Sequence, residues 1–322
     1  MNFTKALAFF GLGACMVSST MHAALAADPY PVRPIELMVA YQAGGGTDNM
    51  ARSIADAARN LLPQPIVVVN KPGASGSIGW AYVANGQPDG YRVAMITPEL
   101  LVVPLMGIGK TTPQDFQPVA RFTDDPSSIT VRADAPWKSV EEFLAYAKAN
   151  PGKATISNAG SGTIPHIAAA ALGEKARATF NHVPYQGSAP AIMGLLSGDV
   201  DATAVAYAEL RQHVEAGKLR TLAVMADKRV ATLPNVPTFK ERGMDLQYSV
   251  WRGIALPKSA PPDVVAKLRE AAKKIAETPS FKETVQKQNL TMAYADMPEF
   301  SAAIVKQSDN FKKLMPTLKL KE

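Results

Sequence analysis

Four short segments of glycine with serine, threonine or aspartate hold most of the polar chemistry of this 322-residue chain. They are Gly44-Gly45-Gly46-Thr47-Asp48, the stretch 73–79 (GASGSIG), Gly160-Ser161-Gly162-Thr163, and Gly187-Ser188-Ala189-Pro190. Each follows a short β-branched run and precedes a helical pattern, so each falls at the start of a helix. A helix N-terminus presents backbone N–H groups without partners and a partial positive charge, and glycine lets a ligand come close. Such a turn can hold a carboxylate or phosphate oxygen without lysine or arginine. Taken singly, each turn reads first as an ordinary Gly/Ser turn with a helix cap and only second as a ligand site. Four at the same kind of junction point to a site. Asp48 has two readings, a cap for the first helix or an acceptor for a ligand amine or bridging water, and capping with an accessible outer oxygen is preferred.

Reactive constellations fare worse. Gly44-Gly45-Gly46 is not G-x-G-x-x-G, and the next strand ends in Asn70-Lys71 rather than in an acidic ribose ligand. The phosphate loop G-x-x-x-x-G-K-[ST] is absent, and the turns at Ser75 and Ser161 are not G-x-S-x-G elbows. His166 falls one turn into its helix near Ser161, where it reads as a cleft-wall hydrogen-bond donor before it reads as a base. His182 and His213 read as structural and surface residues. No His, Asp and Glu cluster has metal-ligand spacing, so neither metal nor cofactor is expected.

The elements that must position these turns alternate. Strands are expected at 35–41, 66–70, 91–97, 116–122, 128–132, 155–157, 180–185 and 219–225, with helices after the glycine-rich turns and a capping box, Ser139-x-x-Glu142, opening another. The region after Trp251 reads as mostly helical, with an amphipathic stretch over 263–277 and Asp296-x-x-Glu299 capping the last helix. Strands alternating with helices predict parallel sheets covered on both faces. Punctuation at Asp124-Asp125-Pro126 and around 234–243 suggests two chain crossings between lobes.

Composition narrows the class. The chain is 47% hydrophobic and 19% charged, which excludes wholesale disorder and a multi-span membrane protein. Its net charge of +6 is diffuse, with no basic stripe for nucleic acid, and suits a small anion. Lys5, an apolar run over 6–17 and Ala24-Leu25-Ala26 form the pattern of a secretory signal peptide over 1–26. Cys15, the single cysteine, follows Leu12-Gly13-Ala14 as in a lipoprotein box. A cysteine inside the apolar run is preferred, because a good cleavage site still follows it. A periplasmic protein is therefore expected.

With these residues in view, the chain resembles the receptors of tripartite tricarboxylate transporters, the Bug-type solute-binding proteins. The likeness runs through Tyr30-Pro31-Val32-Arg33-Pro34-Ile35, Gln42 to Asp48, Asn70-Lys71-Pro72-Gly73-Ala74-Ser75-Gly76, Pro88-Asp89-Gly90-Tyr91, Asn158 to Thr163 with His166, and His182 to Pro190. Gly217-Lys218-Leu219-Arg220, Leu233 to Thr238 and Ala260-Pro261-Pro262 extend it. The resemblance implies an α/β, two-lobed periplasmic binding protein of type II-like form. Residues 27–125 with about 226–322 would form one lobe, about 126–225 the other, and the ligand cleft would lie between them. It implies a monomer that captures a mono- or dicarboxylate and delivers it to membrane subunits, without catalysis. The expected ligand-binding set is Tyr41, Gln42, Ala43, Gly44, Gly45, Thr47, Asp48, Ser75, Gly76, Thr97, Ser161, Gly162, Thr163, His166 and Tyr207. An exported hydrolase or isomerase on a similar fold, and a receptor feeding a sensor kinase, are the alternatives. Two departures bear on the ligand. Pro98-Glu99-Leu100-Leu101 replaces the family's small polar residues and histidine, and Val205 stands where an acid is common. Glu99 either restores a partner for an amine or faces solvent.

Overall fold

The structure is a computed structural model and describes residues 30–318. The expected signal peptide and Cys15 lie outside the described residues.

The first sheet has six strands, in the order β11-β4-β10-β3-β1-β2. Three of them open the chain: β1 (Ile35–Val39), β2 (Ile66–Asn70) and β3 (Arg92–Ile96), paired in parallel about β1. Between them run α1 (Gly46–Ala58) and α2 (Ser77–Ala84), followed by the short α3 (Glu99–Val102). β4 (Phe116–Pro126), β10 (Ser249–Pro257) and β11 (Met292–Asp296) complete the sheet in antiparallel pairings. The helices α8 (Pro262–Glu277), α9 (Pro279–Lys287) and α10 (Met297–Leu314) come from the C-terminal part. Strand β1 shows why this sheet needs cover on both sides. Leu37 and Val39 pack with Met50 and Ile54 of α1 and Leu268 of α8, while Met38 and Ala40 pack with Trp80 of α2 and Phe300 of α10. Side chains alternate across a strand, so an unbroken apolar run needs two apolar roofs.

The second sheet has five strands, in the order β7-β6-β8-β5-β9. They are β5 (Ser128–Arg132), β6 (Thr155–Asn158), β7 (Asn181–Pro184), β8 (Ala202–Thr203) and β9 (Leu219–Val224). α4 (Val140–Ala149) and α5 (Ile164–Ala176) supply Phe143, Ile167 and Leu172 to its main core. α6 (Ser188–Ser197) and α7 (Tyr207–Glu215) supply Ile192, Leu195 and Leu210 to a separate cluster. The capping box opening α4 forms in modified geometry. Ser139 Oγ accepts from the Glu142 N–H, and the Glu142 carboxylate reaches back to the Lys138 N–H, one residue beyond the cap.

The chain crosses between the sheets twice, at Ser127 and over 225–248, and the crossings bond to each other. The Ser127 N–H donates to the Tyr248 carbonyl at 2.8 Å, and the Met225 N–H donates to the Ser127 carbonyl at 2.8 Å. Both sheets are mixed, not parallel as the alternation predicts. In the second sheet β5 pairs antiparallel with β8 and β9; in the first the cause is β10, hidden in the region expected to be helical. Arg252 and Gly253 interrupt its apolar run, yet the whole strand from Val250 is buried between β3 and β4. The result is a two-lobed α/β fold with one helix-flanked sheet per lobe.

Candidate functional site

The turn from β1 into α1 forms one wall of a cavity between the lobes. Gly44 takes φ +90°, a left-handed conformation that favours glycine, and Gly45 is the N-cap of α1. Gly45 has no side chain to cap with, so the N–H groups of Gly46, Thr47 and Asp48 have no partner among the described residues. Asp48 is therefore not the cap. It lies in the first turn, where its carboxylate accepts from Gly44 N–H at 2.9 Å, Asn70 Nδ2 at 2.9 Å, and Arg52 Nε at 2.9 Å and Nη2 at 3.1 Å. Burial works against the charged form, but these bonds outweigh it and hold Asp48 below the usual carboxylate range. Both of its oxygens are taken twice over, which leaves no outer oxygen for a ligand amine.

Beneath this turn lies Arg252, 1% exposed. Its guanidinium bonds Asp125 through Nη1, Glu209 through Nη2 at 2.6 Å, and Thr47 Oγ1 through Nε at 3.3 Å. Gly46 is required here, because a Cβ on it would come within 2.4 Å of Arg252 Nη2. Burial pushes the Asp125 carboxyl up to about 6, with Arg252 opposing the rise. The Tyr41 hydroxyl shares a hydrogen bond with Thr97 Oγ1 at 2.8 Å; burial and the Glu99 carboxylate beside it push its pKa well above the phenolic range. Glu99 does not face solvent. It is 4% exposed, and its Oε1 accepts the N–H of Ile164, the first residue of α5, at 3.0 Å.

The opposite wall comes from the second lobe. Thr163 is the N-cap of α5, but its hydroxyl donates to the Gly160 carbonyl at 2.7 Å instead of capping. His166 Nδ1 accepts the Gly162 N–H at 3.0 Å, and burial together with neighbouring His182 lowers its pKa to about 4. A neutral ring whose Nδ1 is occupied serves as a brace for the turn. The N-terminus of α6 also faces the cavity. Its N-cap is Gly187, again without a capping side chain, and Gln186 to Pro190 line the space.

The cavity holds about 60 Å³, room for a few waters or one small molecule. Of the expected set, Tyr41, Gln42, Ala43, Gly45, Thr47, Asp48, Thr97 and Thr163 line it. Gly44 lies in an adjoining depression with Ala189 and Met193. Ser75, Gly76, Ser161, Gly162, His166 and Tyr207 are not in the lining. Ser75 Oγ instead donates to the Ser161 carbonyl at 2.6 Å, joining the lobes. A Cβ on Gly162 would lie 2.5 Å from Met106 Sδ, so that glycine serves close packing. Tyr207 is buried at the start of α7. Gly46, the turn 186–190, Glu209 and Arg252 line the cavity beyond the expected set. A charged residue inside an otherwise apolar run was the available signal for Arg252; Glu209 carries none. Among the described residues no group of three His, Cys, Asp or Glu is placed to hold a metal, and no helix is long and apolar enough to cross a membrane.

Two helix-flanked lobes, two chain crossings and a polar cavity between them define a solute-binding protein of the periplasmic type. The chain belongs to the tripartite tricarboxylate transporter family of receptors, whose family model matches residues 50–320. It is 36% identical over 289 residues to the "UPF0065 protein in gbd 5'region" of Cupriavidus necator, covering 88% of this chain and 86% of that one. Among solved structures it resembles a TctC solute-binding protein from Polaromonas, determined with no ligand, at 47% identity and TM-score 0.71, covering 90% of this chain and all of the other. Two R. palustris proteins, Rpa4515 with adipate and MatC with bound malate, are each 25% identical, with TM-scores of 0.83 and 0.81; they cover 89% and 88% of this chain and 98% and 99% of their own.

Proposed function

We propose that this cavity binds a small organic carboxylate and that the protein is an extracytoplasmic receptor delivering it to membrane subunits of a tripartite tricarboxylate-type transporter. The observation that carries the reading is the pair of uncapped helix N-termini, α1 from one lobe and α6 from the other, facing one small cavity. Desolvating a carboxylate is costly unless several N–H and O–H donors receive its oxygens, and these turns supply them. Malate in one structural relative and adipate in another support the ligand class.

Residues 27–125 with about 226–322 form one lobe in this reading and about 126–225 the other, hinged where Ser127 bonds Tyr248 and Met225. Closure follows only from contacts that the ligand makes in the closed state and not in the open one. No chemistry is performed. Ser161 and His166, the pair an enzyme reading needs, support this, since the His166 ring is committed to the Gly162 N–H. The direct cavity contacts are assigned to the β1–α1 turn, Thr97 and Thr163, with Ser75, Ser161, Gly162 and His166 shaping closure. Isothermal titration with mono- and dicarboxylates, a sugar and a nucleotide tests this. Saturable binding of an organic acid alone is expected; binding of the sugar or nucleotide alone overturns it.

A further inference from the structure

The second lobe offers a third helix N-terminus to the cavity, that of α5, and the protein itself fills it. Glu99 extends from α3 across the cleft and sets Oε1 on the Ile164 N–H at 3.0 Å. A carboxylate at the head of a thirteen-residue helix is well placed. The other oxygen is not. Glu99 Oε2 is buried and has no hydrogen-bond partner among the described residues, while the side chain lines the cavity. A buried carboxylate oxygen without a donor is costly, and such an orphan needs a reason.

No cation among the described residues bonds it. Arg252 lines the same cavity, but its nitrogens are directed to Asp125, Glu209 and Thr47. Arg52 is committed to Asp48. The Tyr41 hydroxyl stands beside the Glu99 carboxylate but is bonded to Thr97 Oγ1, and no donor among the described residues meets Oε2 at hydrogen-bond geometry. What Oε2 lacks is a donor, and the cavity is where one can come from.

We infer that Glu99 is a specificity residue: Oε2 receives a hydrogen bond from a hydroxyl or ammonium group on the ligand, so the receptor selects carboxylates that carry such a donor over those that do not. The inference rests on the carboxylate-receptor reading and narrows it. With Oε1 held by α5, the carboxylate cannot swing away, and a donor-free ligand leaves Oε2 buried and unpaired. Selectivity of that origin is steep, because the wrong ligand bears the desolvation of the orphaned oxygen. The ligand's own carboxylate goes to the free amides of α1 or α6.

The test is calorimetric titration of two isosteric sets: isobutyrate, lactate and alanine, then methylsuccinate, malate and aspartate. Within at least one set the hydroxyl or ammonium member is expected to bind tenfold or more tightly than the donor-free member; comparing malate with aspartate, and lactate with alanine, tells the two donors apart. Glu99→Gln keeps an acceptor for Ile164 but turns an amide donor toward the cavity, so the preference should disappear or invert. Equal affinities within both sets would overturn this inference and leave the receptor reading standing, as would an unchanged preference in a folded E99Q. Binding by no member of either set overturns this inference, whereas binding of a sugar or nucleotide in place of any organic acid overturns the receptor reading as well. If E99Q does not fold, the ratios of the unaltered protein decide the matter alone.

Discussion

Ser75 Oγ lies 2.6 Å from the carbonyl oxygen of Ser161, and this hydrogen bond joins the two lobes beside those between Glu99 and Ile164 and between Arg252 and Glu209. Ser75 reaches it from a left-handed backbone (φ 52°) in the turn before α2. The bond exists only while the lobes are together, so it belongs to the closed state.

Ser75→Ala should therefore weaken ligand binding without changing the stability of either lobe. A net hydrogen bond contributes about 1 kcal/mol, which corresponds to roughly a fivefold loss of affinity, expressed mainly as faster dissociation. Stopped-flow dissociation and a thermal melt of the ligand-free protein measure the two effects. Unchanged dissociation would mean that the contact plays no part in closure.

Arg252 is the buried charge on which the cavity floor depends. Removing it in Arg252→Met leaves Asp125 and Glu209 facing each other without a cation. Breaking a buried pair from one side costs about 3–5 kcal/mol, and Asp125, already raised to about 6, should take up a proton. Urea denaturation at neutral pH should show a loss of that size. Gly46→Ala attacks the same point sterically, since its Cβ would meet Arg252 Nη2 at 2.4 Å and Glu209 Oε1 at 2.9 Å. It should lower both stability and affinity.

His166 sets an acid limit. Its folded pKa of about 4 lies below the ordinary 6.5, so between those values the unfolded chain binds the extra proton. Stability is full above pH 6.5, falls as the pH drops through this window, and levels off below about 4. The loss approaches about 3 kcal/mol. Denaturation curves at pH 7.5 and 4.5 measure it. In His166→Gln the fall should become shallower, though not vanish, because burial also lowers the pKa of His182. An equal slope in the variant would contradict the assignment.

Asp48 gathers the β1–α1 turn, receiving Gly44, Arg52 and Asn70 at once. Asp48→Asn turns one acceptor into a donor that faces Arg52 or Asn70. A loss of about 1–3 kcal/mol in stability is expected, with weaker binding because the α1 amides are no longer fixed. Asp48→Ala should bind no amine-bearing ligand worse than its donor-free analogue, since no Asp48 oxygen is open to the cavity.

Much of this was legible before any coordinates. Strand β2 matches its expected span of 66–70, the four glycine-rich turns do open helices, and the two-lobed fold follows from the family likeness. The antiparallel part of the first sheet is hard to read because β10 mixes Arg252 and Gly253 into an apolar run, and local pattern cannot tell a buried ion pair from a break; in the second sheet nothing local reveals that β5 runs against β8 and β9. Asp48 falls in the expected turn, and Gly44 and Arg52 reach it at i−4 and i+4 spacing, but Asn70 comes from β2, 22 residues away, where local spacing gives no hint of it. Glu209 and Arg252 meet across 43 residues, and Glu99 reaches Ile164 across 65; no periodicity encodes such pairings.

The central claim is that uncapped helix amides, not a reactive side chain, grip an anion between the lobes. The most direct measurement is a crystal structure with the ligand carried through purification or added from the titration panel. The account predicts carboxylate oxygens on the first-turn N–H groups of α1 (Gly46, Thr47 and Asp48) or of α6, directly or through one ordered water. A ligand seated elsewhere, or one that meets those amides with no anionic oxygen, would contradict it.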